Sequence, residues 1–152
     1  MRAAQRDDIP VLLALMSEFY AESDYELEHS PAESAFTAIL ADDRLGYVWL
    51  IEDEGKPVGY LVLTLRFGME YGGLIACIDD LFVVPQCRNR GLSTAALIEV
   101  RDFCQARGIC AITVEVAFSN GAAQAVYRRA GLVEAPNRQL LALALTLPTH
   151  VV

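Results

Sequence analysis

Basic residues are scarce in this chain: 12 Lys and Arg stand against 20 Asp and Glu in 152 residues, for a net charge of −8. Nucleic-acid binders neutralise phosphates with clustered cations, so a general role of that kind is excluded. Histidine occurs only at His29 and His150, far apart and without ligand-like neighbours. The four cysteines, Cys77, Cys87, Cys104 and Cys110, form no Cys-x-x-Cys pair and no zinc spacing, so no metal site is expected and the thiols read as reduced and mostly buried. Long apolar runs are also missing. Leu140 to Leu145 is far too short to span a bilayer, and Met1 to Pro10 holds Asp7 and Asp8 where a signal peptide would be apolar. A soluble, cytoplasmic protein with no membrane partner is expected. Ten Gly and six Pro follow no period, and no linker or internal repeat divides the chain.

What the chain does have is apolar residues, 54% of the total, in a length suited to one domain over residues 1–152. A short strand over Arg2 to Ala4 precedes a helix opening at Asp7 or Asp8, with Pro10 in its first turn and a stripe of Leu12, Leu13, Met16 and Phe19. Ser30-Pro31-Ala32-Glu33 has the form of a capping box and predicts a second helix through Phe36, Ile39 and Leu40. Tyr47 to Ile51 and Pro57 to Phe67 read as a hairpin about Asp53-Glu54-Gly55-Lys56, and Leu74 to Val84 as a third strand carrying Asp79 and Asp80 at its middle. A helix over Gly91 to Arg107, a strand over Ile109 to Ala117, a helix over Asn120 to Ala130 and a closing strand over Gln139 to Thr146 follow. The order β-α-α-β-β-β-α-β-α-β-β predicts a mixed α/β fold, a sheet with helices on its faces.

Two constellations carry chemistry. In Val83-Val84-Pro85-Gln86-Cys87-Arg88-Asn89-Arg90-Gly91-Leu92-Ser93 a strand ends in a glycine-containing turn and opens a helix. Unpaired backbone N–H groups and the positive end of the helix dipole then converge on one spot, which favours a phosphate, and Arg88 and Arg90 add charge beside it. The loop has neither the Gly-x-Gly-x-x-Gly spacing nor a Gly-Lys-Ser/Thr end, so it is neither a dinucleotide fingerprint nor a P-loop, and read alone it is equally an ordinary solvated connection. In Asn120 to Leu132, Asn120 suits a helix cap, while Ala123 and Tyr127 share one face; alone, Tyr127 reads as a core aromatic.

Together the two resemble the signatures of the GNAT superfamily of acyl-CoA-dependent N-acyltransferases. Arg88, Gly91 and, approximately, Ser93 match Arg/Gln-x-x-Gly-x-Gly/Ala, and Asn120, Ala123, Tyr127 and Gly131 match Asn-x-x-Ala-x-x-x-Tyr-x-x-x-Gly in full. The resemblance implies a central twisted, mostly antiparallel sheet flanked by helices, with acetyl-CoA as cosubstrate and no metal. It further implies that backbone N–H groups around Arg88, Asn89, Arg90, Gly91, Leu92, Ser93 and Thr94 hold the CoA pyrophosphate. The strand at Leu81, Phe82 and Val83 would pair with pantetheine, Asn120 and Ala123 would border the cofactor, and Tyr127 would face the sulfur. Asn89 stands where Gly is usual, which Asn tolerates better than other side chains.

An attacking amine must be neutral, whereas an alkylammonium has a pKa of about 10.4, so a base is needed, and a phenol of pKa about 10 suits the departing thiolate. The candidates for the base are Asp80, placed first, then Asp79, Glu70 and Glu115; strand alternation would send Asp79 and Asp80 to opposite faces. An acid at this strand position resembles polyamine and other small-amine acetyltransferases. Residues 18–54 hold eleven acids against Arg44 alone, a local net of −10, whereas residues 85–138 carry +3. A cationic small molecule or peptide amine is therefore the expected acceptor, with Tyr20, Glu22, Tyr25, Glu70 and Tyr71 as its candidate contacts. A non-catalytic acyl-CoA-binding module is the competing expectation, and a homodimer joined through Leu140 to Leu147 is compatible with either.

Overall fold

The computed structural model of the chain describes residues 1–22, 27–135 and 140. Strand β1 (Arg2–Ala3) and a 3-10 turn (Arg6–Asp8) lead into helices α1 (Ile9–Ala21) and α2 (His29–Ala41). Strands β2 (Gly46–Asp53) and β3 (Lys56–Gly68) turn through Glu54 and Gly55, at φ 50° and 77°. Positive φ at both residues is the two-residue turn whose twist matches the flanking strands. Strand β4 (Gly73–Val83), helix α3 (Leu92–Ala106), strand β5 (Ala111–Val114) and helix α4 (Gly121–Arg129) complete the described elements. The expected order holds through α4. Apart from exposed Leu140, the predicted closing strand and the dimer segment lie outside the described residues.

Two boundaries differ from expectation. Helix α2 begins at His29 with Glu28 as its N-cap, so Ser30 and Pro31 already lie within its first turn. Proline is accommodated there because a first-turn N–H has no intrahelical acceptor to lose. Strand β5 is far shorter than the predicted Ile109 to Ala117, for a reason that matters at the site below.

The five strands lie in the order β1-β2-β3-β4-β5, the first four antiparallel and β5 parallel to β4. Alternation gives each strand two apolar faces, and helices cover both. On one side Trp49, Ile51, Leu61, Leu63, Ala76 and Ile78 pack with Ala96, Leu97, Val100 and Cys104 of α3. On the other, Val48, Leu50, Tyr60, Val62 and Phe82 pack with Ile9, Leu12 and Leu15 of α1 and Phe36 of α2. Of the four free thiols, only Cys104 is buried; Cys77 and Cys87 are half-buried and Cys110 is exposed. Among the described residues no helix is long and apolar enough to cross a membrane.

Candidate active site

The site begins with a fault in the sheet. Val62 pairs with Asp80 but Leu63 pairs with Ile78, so Asp79 is an extra residue on β4, a β-bulge. The bulge breaks the alternation expected across Asp79 and Asp80. Ile78 faces α3, yet Asp80 and Phe82 face α1 and α2. Pairing of β4 with β5 stops at Ile78 and Val114, the last register before the bulge, while β4 runs on to Val83 held by β3 alone. Beyond the bulge, therefore, the β4 edge that had faced β5 has no ladder partner among the described residues, and an extended ligand can pair there. Phe82 and Val83 are core side chains, 2% and 4% exposed, so such a ligand would meet their backbone.

The edge leads into a cradle for anions. After a 3-10 turn at Pro85–Cys87, Asn89 takes φ 60° and Gly91, the N-cap of α3, takes φ 82°. The left-handed conformation at Gly91 leaves the first-turn N–H groups of Leu92, Ser93 and Thr94 without intrahelical acceptors, at the positive end of the helix. A cavity of about 560 Å³ opens against this turn, lined by Asn89, Gly91, Thr94, Ala95, Ile98 and Arg129. Arg88 and Arg90 do not supply free charge to it. Arg88 donates to Glu22 Oε1 at 2.5 Å and to the Val83 carbonyl at 2.7 Å, and Arg90 grips both carboxylate oxygens of Asp53 at 2.5 and 3.1 Å. The cation lining the cavity is Arg129, from the last turn of α4, and it has no carboxylate partner among the described residues. Its sequence signal was only its place in a basic helix end.

Beyond the bulge, titratable groups crowd together. The Tyr60 hydroxyl donates to Asp80 Oδ2 at 2.9 Å. Burial, reinforced by the charge of Asp79, pushes Asp80 up to about 6 against the opposing Tyr60 hydrogen bond, and partial desolvation raises Asp79 as well. Tyr127, half-buried on α4, is pushed up to about 12 by burial and then by the nearby charges of Asp80 and Cys77. Tyr20, on α1, is also pushed up to about 12, by burial and then by Asp80 and Asp79. Tyr20 and Tyr60 lie within electrostatic reach of both carboxylates, Asp80 being bonded directly to Tyr60 and Asp79 acting at longer range.

The structure thus brings Asp79, Asp80, Tyr20 and Tyr127 together and adds Tyr60, which as an aromatic in an apolar strand carried no signal of its own. Glu115 lies within electrostatic reach of Cys77, just past the end of β5. Asn120 caps α4, its Oδ1 accepting from the Ala123 N–H at 3.0 Å, so its carbonyl is occupied structurally. Glu22 is held by Arg88, and Tyr25 lies outside the described residues. Glu70 and Tyr71 sit in the β3–β4 turn, seven residues of β4 before Asp80. At about 3.3 Å per residue that is roughly 20 Å, so they do not join the cluster. Among the described residues no three His, Cys, Asp or Glu side chains group as metal ligands.

Comparison with known proteins adds to this geometry. The model of the acetyltransferase (GNAT) family matches residues 12–132. An uncharacterized N-acetyltransferase, YhfO, of Bacillus subtilis (strain 168) is 23% identical over 134 residues, covering 88% of this chain and 89% of its own. The crystal structure of an integron cassette protein from the mobile metagenome of Cole Harbour Salt Marsh superposes with a TM-score of 0.87 at 46% identity, over 97% of this chain and 91% of that one. The structure of AAC(6')-Iy in complex with the bisubstrate analogue CoA-S-monomethyl-acetylneamine superposes with a TM-score of 0.79 at 15% identity, over 96% of this chain and 97% of that one.

Proposed function

The chain belongs to the acetyltransferase (GNAT) family, and from that premise we propose that it moves an acetyl group from acetyl-CoA to the amine of a cationic small molecule, with Asp80 as base and Tyr127 as acid. What supports this reading is that Tyr127, packed with the α3-side core, lies within electrostatic reach of Asp80, which follows the bulge where β4 and β5 part.

The residues present fit acetyl-CoA. Unpaired N–H groups at the start of α3, the close approach allowed by Gly91 and the side chain of Arg129 suit its phosphates, and the edge of β4 left open among the described residues suits its amide-bearing arm. When bound, it supplies a thioester carbonyl as the electrophile. The chain's own residues then handle protons. Asp80, ionised above about pH 6, takes one from the acceptor ammonium, directly or through water, freeing the lone pair that forms the C–N bond. Tyr127 stays protonated at neutral pH and donates to the sulfur as the C–S bond breaks, and the second proton that nitrogen sheds on becoming an amide returns, through water, to the phenolate. The desolvation that raises the phenol raises a thiolate's proton affinity too, which keeps that transfer from becoming prohibitive. Two carboxylates beside the Tyr20 ring suit an ammonium group, and an aminoglycoside amine, as in the neamine analogue held by AAC(6')-Iy, is an acceptor of this class.

A panel of spermidine, neamine and a lysine-containing peptide, followed by thiol release from acetyl-CoA, tests the proposal. Acceptor-dependent release highest with a small polycation is expected. Thermal stabilisation by acetyl-CoA with no release across the panel would instead make the protein a binding module, and release confined to the peptide would reassign the acceptor.

A further inference from the structure

We propose that Tyr60 is a positioning residue for acetyl transfer: from within the core its hydroxyl fixes Asp80 Oδ2, orients the carboxylate towards the parting of β4 and β5, and sets the pH at which Asp80 begins to act. The inference rests on Asp80 being the base. Tyr60 is 0% exposed, its ring held between Phe36 and Phe82 with centroids 6.3 Å away in each case. It therefore meets neither substrate and acts only through Asp80.

Among the described residues Tyr60 is the single hydrogen-bond donor to Asp80. The other titratable groups facing that carboxylate are Tyr20 from α1, Tyr127 from α4 and neighbouring Asp79, and no cation is among them. Burial and Asp79 both favour the protonated carboxyl, so the Tyr60 bond is what favours the ionised one. The phenol itself is driven far above its ordinary value, first by burial and then by Asp80, so it remains a donor throughout the working range. Fixing Oδ2 also leaves Oδ1 as the oxygen that can take the acceptor's proton.

Tyr60→Phe keeps the ring and removes the donor. The test follows the Asp80 carboxyl by ¹³C NMR across pH in the wild type and in Tyr60→Phe, with Asp80→Asn assigning the signal. Rates are then measured with whichever panel amine turns over fastest. The midpoint is expected to rise by about one pH unit in Tyr60→Phe, with kcat falling about fivefold at pH 6 but only about twofold at pH 7, KM for acetyl-CoA unchanged, and activity recovering as the pH is raised. An unmoved midpoint, or a loss of kcat uniform across pH, overturns the role of Tyr60. Wild-type kcat and pH profile in Asp80→Asn would overturn the base assignment instead, a result that the Tyr60→Phe titration cannot mimic.

Discussion

Burial pushes a carboxyl and a phenol in the same direction, yet the consequences differ. For Asp80 it brings the proton affinity close to neutrality, where a base both exists ionised and holds a proton well; for Tyr127 it guarantees a neutral donor. Tyr127→Phe should therefore lower kcat by about 10²-fold while changing acetyl-CoA affinity little, as read by steady-state rates beside calorimetric titration of the cosubstrate. The Asp80 environment also has a stability cost. Its folded value, about 6, lies above the ordinary 3.8, so the native state binds the proton more tightly than the unfolded one. Stability is then full below about pH 4 and declines as pH rises towards 6, by on the order of 3 kcal/mol at most. Asp80→Asn cannot ionise and should melt higher than the wild type at pH 7.5, with the gap closing towards pH 4; equal melting at both pH values would refute the burial argument. As candidates, Tyr127 and Asp80 stand out in the sequence because a helix motif and an acid within an apolar strand each break the local pattern. Tyr60 breaks none, and the role proposed for it rests on a partner twenty positions away that pairing of β3 with β4 brings near.

At the scale of elements, the site depends on two local departures from regularity, the left-handed N-cap of α3 and the bulge of β4. A side chain at Gly91 meets open space, so any penalty there is conformational rather than steric. Gly91→Ala should cost about 1–2 kcal/mol through its φ of 82°, and should shrink the thermal stabilisation given by acetyl-CoA because the first-turn N–H groups are re-aimed. Scanning calorimetry with and without acetyl-CoA checks both, and an unchanged stabilisation would detach the α3 turn from cosubstrate binding. The helices, the hairpin and the α3 turn were readable because caps, glycines and apolar spacing are local signals. The bulge was not, since Ile78-Asp79-Asp80-Leu81-Phe82 spells the same residues whether the strand alternates or skips. That one extra residue breaks the alternation expected across the two aspartates and falls where the pairing of β4 with β5 ends.

For the whole molecule, the division between an acidic N-terminal third and a basic later half proves partly self-cancelling. Glu22 pairs with Arg88 and Asp53 with Arg90, so charges of the two regions neutralise one another beside the α3 turn. These pairs are substantially exposed and add little stability. Their effect is on the field: with Arg88 and Arg90 engaged, Arg129 is, among the described residues, the cation at the cavity without a carboxylate partner, in a chain of net charge −8. Long-range attraction of this kind fades as the screening length falls below about 10 Å above 0.1 M salt. Raising the salt from low to near-molar concentration should thus depress kcat/KM for a polycationic acceptor such as neamine much more than for a monoamine, mainly through KM. Acetyl-CoA affinity should weaken in parallel, with a shallower salt slope in Arg129→Ala because one cation fewer meets its phosphates. Equal salt slopes for the polycation and the monoamine would leave the acidic third a solubilising surface with no part in choosing the acceptor.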